Sequence, residues 1–125
     1  MPYKVLVVDD SKLARMSVAR ALMALHPDWT RIEASNADEA LTLARHEAVD
    51  IALLDFNMPG RDGLELAADL RGLNADMPLA VVSANFQEEI VSRAREVGAT
   101  FLTQPLTEQQ LRGFLDSAAA RLPAR

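Results

Sequence analysis

Short apolar runs recur at residues 4–8, 31–34, 50–54, 79–82 and 100–102, separated by amphipathic stretches. Three of the runs are nearly all apolar, the pattern of strands buried on both faces. The run at 31–34 is more polar, as an edge strand is. The intervening stretches carry helix start and stop signals. Ser11 opens the first, Leu13, Met16, Val18, Ala19, Leu22 and Leu25 supply its apolar positions, and His26-Pro27 ends it. Asn36 with Glu39, and Asp62 with Glu65, give the second and third helices starts of the capping-box kind. The fourth helix spans 87–97 and stops at Gly98, a residue suited to a left-handed C-cap. The fifth begins at Thr107 with Gln110, with Leu106 against Leu111 as a hydrophobic staple, and runs to Arg121 ahead of Pro123.

Strand and helix thus alternate five times. That order predicts a doubly wound α/β fold: a parallel sheet, helices on both faces and right-handed crossovers. No repeat, low-complexity tract or linker interrupts it. Residues 1–125 are expected to form one domain, a length that buries a full core without disulfides or metals.

Composition narrows the function. The absence of cysteine excludes a disulfide framework, a thiolate metal site and thiol chemistry, and fits a reducing compartment. The formal net charge of −5, with no basic cluster, argues against direct nucleic-acid binding, which needs Lys and Arg on phosphates. The apolar run near the N-terminus is too short for a signal peptide and ends in two aspartates. No run has membrane-spanning length, so a cytoplasmic protein without membrane insertion is expected.

In a doubly wound sheet the binding crevice lies at the carboxyl ends of the strands. The first strand ends in Asp9-Asp10, the third in Asp55, the fourth in Ser83 and the fifth in Thr103-Gln104-Pro105. Three aspartates on adjacent strand ends repel one another unless one protonates or a cation joins them. Mg²⁺ is the hard ion that one or two carboxylates hold together with phosphate oxygens, and the backbone carbonyl of Asn57 is a further ligand candidate. As helix caps or solvated loop ends, the same aspartates would need no ion. Pro59 and Gly60 force a turn after Asp55. A carboxylate beside Mg²⁺ can attack phosphorus and form an acyl phosphate. Ser83 is either a donor to a phosphoryl oxygen or a turn former.

The fragments VLVVDDS at 5–11, LLDFNMPGRDG at 53–63, VVSA at 81–84 and GATFLTQPL at 98–106, followed by the helix capped at Thr107, lie in order at matching spacing. Taken together they resemble the receiver domain of two-component response regulators, the CheY-like superfamily, of the single-domain chemotaxis type. The resemblance covers essentially the whole chain. It implies a flavodoxin-like (βα)5 fold with strand order 2-1-3-4-5. It implies phosphorylation of Asp55 by a sensor histidine kinase, a phosphotransfer protein or a small phosphodonor. Asp10 would ligate Mg²⁺ directly and Asp9 through water, with Asp55 and the Asn57 carbonyl completing the protein ligands. Ser83 would move toward the phosphoryl group and Phe101 would be the switch aromatic. Output would pass to a downstream protein through the face of helix 4, strand 5 and helix 5, which is also a common homodimer surface in the family. The Gln104-Pro105 bond would be cis. The domain would signal rather than catalyse, beyond its own phosphorylation and dephosphorylation.

One position departs from that pattern. The family carries a lysine before the proline, where this chain has Gln104. A charged hydrogen bond is worth roughly 1.5–3 kcal/mol and a neutral one about 0.5–1.5, so the substitution weakens coupling by about tenfold. Three carboxylates and one Mg²⁺ leave the site near −1, and a phosphoryl group adds about −1.5 to −2. Lys12 is the candidate surrogate cation and Arg61 a second; the alternative is that both are solvated. Phe101 lacks a hydroxyl, so it is either plain core or a gate that works by ring packing alone. Phosphorylation then either drives the switch weakly, or the domain is a receiver-like scaffold that binds its partner regardless. An aspartyl-nucleophile phosphatase is less suited, because such enzymes usually carry a second acid two residues after the nucleophile and here that position is Asn57. A flavodoxin-like flavin binder would need a hydroxyl- and glycine-rich loop in place of DDSKLA.

Overall fold

A computed structural model describes residues 3–123. Strands β1 (Lys4–Val8), β2 (Thr30–Ala34), β3 (Ile51–Asp55), β4 (Leu79–Ser83) and β5 (Ala99–Thr103) alternate with helices α1 (Lys12–Leu25), α2 (Ala37–His46), α3 (Gly63–Leu73), α4 (Glu88–Glu96) and α5 (Glu108–Arg121). The strands are parallel in the order β2-β1-β3-β4-β5, the flavodoxin-like arrangement. Side chains alternate between the faces of the sheet. Leu6, Val8, Leu54 and Val81 pack on α2, α3 and α4 through Leu41, Leu66, Leu70 and Ile90. Val5, Val7, Leu53 and Val82 pack on α1 and α5 through Leu22, Leu111, Phe114 and Leu115. Leu106 joins the second cluster beside Leu111, where the staple was expected.

Strand ends differ from the apolar pattern by a residue or two, in a way that matters. Asp55, Ser83 and Thr103 are the last residues of their strands, as the sequence suggests, whereas Asp9 and Asp10 lie just past β1 and Gln104 just past β5. Asp50 lies outside β3; its carboxylate instead accepts the Lys4 backbone N–H at 2.8 Å. In α1, Leu13 and Met16 are 78% and 42% exposed, not core. The stripe that turns inward is Arg15, Val18, Ala19, Leu22 and Leu25, at helical i, i+3, i+4 spacing, and Leu13 falls opposite it.

Helix starts follow the predicted chemistry. Ser11 accepts from the Ala14 N–H and Asn36 from the Glu39 N–H. Asp62 with Glu65 and Thr107 with Gln110 form complete capping boxes. Glu39 does not close a box on Asn36; its carboxylate accepts the Ser35 N–H one residue earlier. Gly98 takes φ +69 after α4, as a left-handed cap does. No described helix is long and apolar enough to cross a membrane.

Candidate functional site

Sheet order brings the carboxyl ends of β1, β3, β4 and β5 to one edge. There Asp9, Asp10 and Asp55 each offer an oxygen, and the three lie within 4.8 Å of one another. Asp9 is pinned by its neighbours. Its N–H donates to the Ala34 carbonyl at 3.1 Å, and its Oδ1 accepts the Ser11 N–H at 2.9 Å. Asp10 is exposed. Asp55 is 9% exposed. The turn after it is held by the Phe56 N–H on the Val82 carbonyl at 2.9 Å and the Gly63 N–H on the Phe56 carbonyl at 3.0 Å. Gly60 takes φ +79 in that turn. Gly63 has a different reason to be glycine: a Cβ there would run into the Asp55 carbonyl.

The electrostatics follow from crowding. Burial first, and then the charges of Asp9 and Asp10, push the Asp55 carboxyl up to about 7 against an opposing hydrogen bond from the Asn57 backbone. Asp9 is raised as well, first by burial, with the Ser11 N–H opposing and Asp10 reinforcing. Among the described residues no Lys or Arg forms an ion pair with these carboxylates. Hard oxygen donors this close, short of positive charge, suit a Mg²⁺ ion. The Asn57 side chain is exposed.

Ser83 is 1% exposed, and its Oγ accepts the Asn85 N–H at 3.0 Å, so its hydroxyl shapes the turn after β4. Gln104, just past β5, reaches across β4 to Asp55, with Nε2 donating to Oδ1 at 3.4 Å, a long contact. The Gln104-Pro105 bond is cis. Phe101 is half-buried against the α2–α4 core and meets Phe86 edge-on, with centroids 6.2 Å apart. A cleft of about 820 Å³ runs from Asp9, Asp55 and Gln104 between α1 and the start of α5, past Val18 and Leu106.

The two cations singled out in the sequence stand differently. Arg61 pairs with Asp69 on α3. Lys12 is exposed and makes no ion pair among the described residues. Pattern reading missed Arg15, whose Nη1 donates to the Asp9 carbonyl at 2.6 Å and whose Nε donates to Glu33 Oε1 at 3.1 Å. The available signal was a basic residue on the inward stripe of α1, opposite an acidic residue on the edge strand. It also missed Phe86 as the ring beside Phe101, and the close approach at Gly63.

Residues 5–116 match the family model of the response regulator receiver domain. The chain is 40% identical over 119 residues to the positive alginate biosynthesis regulatory protein of Pseudomonas aeruginosa, covering 92% of this chain and 46% of that protein. It is 33% identical over 121 residues to the nitrate/nitrite response regulator NarL of Escherichia coli, covering 95% of this chain and 56% of NarL. The chain therefore spans about half the length of these curated relatives. Among solved structures it is similar to the chemotaxis protein CheY4 of Vibrio cholerae, with a TM-score of 0.85, 27% identity, and 94% and 99% of the two chains covered. It is also similar to a chain in the CheX-CheY-BeF3-Mg complex of Borrelia burgdorferi, with a TM-score of 0.84, 25% identity, and 95% and 90% covered.

Proposed function

The chain belongs to the response regulator receiver domains of two-component systems, and on that footing we propose that Asp55 is the phosphoryl acceptor of this protein. The observation that carries the reading is the convergence of Asp9, Asp10 and Asp55 at one sheet edge. Receiver domains bind Mg²⁺ at an acidic pocket; here Asp9, Asp10, Asp55 and the Asn57 carbonyl would hold it. When bound, the ion supplies positive charge to phosphoryl oxygens.

The chain's own residues account for the rest. A carboxylate oxygen of Asp55 attacks phosphorus, the new O–P bond forms, and the bond to the donor breaks. The electron pair leaves on the imidazole nitrogen of a kinase or phosphotransfer histidine, or on the carboxylate of a small acyl phosphate. Ser83 turns its hydroxyl from the Asn85 N–H toward a phosphoryl oxygen. Phe101 follows by repacking against Phe86, which changes the face formed by α4, β5 and α5. A downstream protein reads that face.

Gln104 donates a neutral hydrogen bond where a charged one is usual in the family, so phosphorylation is coupled to the switch about tenfold more weakly. Lys12, exposed at the mouth of the site, is the surrogate cation in this reading. The long Gln104 contact also favours a second reading, a scaffold whose partner binding ignores phosphorylation. Acetyl phosphate with Mg²⁺, followed by intact mass and a partner-binding test, separates the two, because a scaffold binds its partner equally with and without the phosphoryl group. The first reading expects a gain of one phosphoryl group in the wild type and none in Asp55→Ala, with a slower gain in Lys12→Ala. No gain in the wild type leaves only the scaffold, and an unchanged rate in Lys12→Ala removes the surrogate role.

A further inference from the structure

Two adjacent carboxylates that serve one cation must be held against their own repulsion. At Asp9 the holding is done at three atoms. The N–H is tied to Ala34 on β2, Oδ1 to the Ser11 N–H, and the carbonyl to Arg15 Nη1 at 2.6 Å. Only the last tie comes from a side chain. Arg15 is itself fixed, its side chain just 16% exposed and its Nε on Glu33 Oε1 at 3.1 Å. Glu33 precedes Ala34 on the same edge strand, and its other oxygen lies 3.6 Å from Arg31 Nε. One planar guanidinium therefore spans from β2 to the acidic loop, using two nitrogens at a fixed angle.

We propose that Arg15, oriented by Glu33, is a positioning residue that sets the divalent-cation affinity of the Asp9–Asp10–Asp55 cluster. The proposal rests on the reading of that cluster as a Mg²⁺ site. Two roles for Arg15 predict opposite signs. As a bare charge it repels an incoming cation, so its removal tightens binding. As a positioning group it keeps the loop in its binding shape, so its removal loosens binding even though a positive charge has gone. Outer contacts of metal ligands typically carry 10–100-fold in affinity.

The test is calorimetric titration with Mg²⁺ of the wild type, Arg15→Ala, Glu33→Ala and Glu33→Gln, with circular dichroism and thermal melts without metal as controls on folding. The proposal expects Arg15→Ala and Glu33→Ala to bind about tenfold more weakly. It expects Glu33→Gln, which keeps an acceptor for Nε, to stay within about twofold of the wild type. Equal or tighter binding by Arg15→Ala overturns it. So does an equal weakening of Glu33→Gln and Glu33→Ala, which would mean that the charge of Glu33 acts rather than its geometry. If Arg15→Ala does not fold, unchanged affinity in Glu33→Ala overturns the proposal. A wild type that binds no Mg²⁺ overturns the metal site itself and this proposal with it.

Discussion

Asp55 is ionised against its surroundings. Burial and two neighbouring carboxylates raise it from 3.8 to about 7, so between those values the folded protein keeps a proton that the unfolded chain has released. Stability without metal therefore falls as pH rises through that window, and the penalty is complete above it. Asp55→Asn removes the penalty. In EDTA at pH 8 it should unfold later than the wild type by about 1–2 kcal/mol, after discounting for water at the open side of the site. The gain should vanish below pH 4. Thermal melts across pH check this, and equal stability at pH 8 contradicts it. Gln104 is the complementary residue. Gln104→Lys places an ammonium where Nε2 now makes its long contact with Asp55. At matched phosphorylation it should strengthen switching by about tenfold, read as amide shift changes along β5 and α5. The aspartates and Gln104 were legible because their positions follow strand ends. Arg15 was not, because its role depends on which side of α1 turns inward.

Element boundaries came through where side chains bond to the backbone. Ser11, Asn36, Asp62 and Thr107 all cap helices as their sequence positions suggest. The apolar positions of α1 do not by themselves mark its inward face, because Leu13 and Met16 lie off the stripe that packs. α4 lacks a side-chain cap at Gln87, and only Ile90 and Ala94 of its residues are buried. It is tied to α3 instead. Arg93 lies 3.8 Å from Asp62, and Arg71 donates to the carbonyls of Val97 and Gly98 at 2.9 and 3.1 Å. These long-range ties join residues far apart in the chain and leave no local pattern. At the other end of α3, Gly63 lets the helix start directly against the Asp55 carbonyl. Gly63→Ala has to push the two apart. It should cost about 2–3 kcal/mol in urea unfolding, and a loss below 0.5 kcal/mol would show that the turn yields freely.

At the scale of the molecule, strand order does the assembling. β1 and β3 are neighbours, so Asp9 and Asp10 meet Asp55; β4 and β5 follow, so Ser83 and Gln104 complete the edge. The alternation of strands and helices was enough to foresee a doubly wound sheet with its site at the carboxyl ends. What it did not contain was the charge balance, which depends on Arg61 being taken by Asp69 and on Arg15 facing a carbonyl. Three carboxylates share the site, and only one is argued to accept the phosphoryl group: Asp55, the most buried, with Gln104 on its oxygen and Ser83 next to its strand partner Val82. The most direct measurement is therefore site-resolved. The protein is treated with acetyl phosphate and Mg²⁺, reduced with borohydride, which converts an aspartyl phosphate to homoserine, and mapped by peptide mass. The account predicts homoserine at position 55 alone. Conversion at position 9 or 10, or none at any of the three, would contradict it.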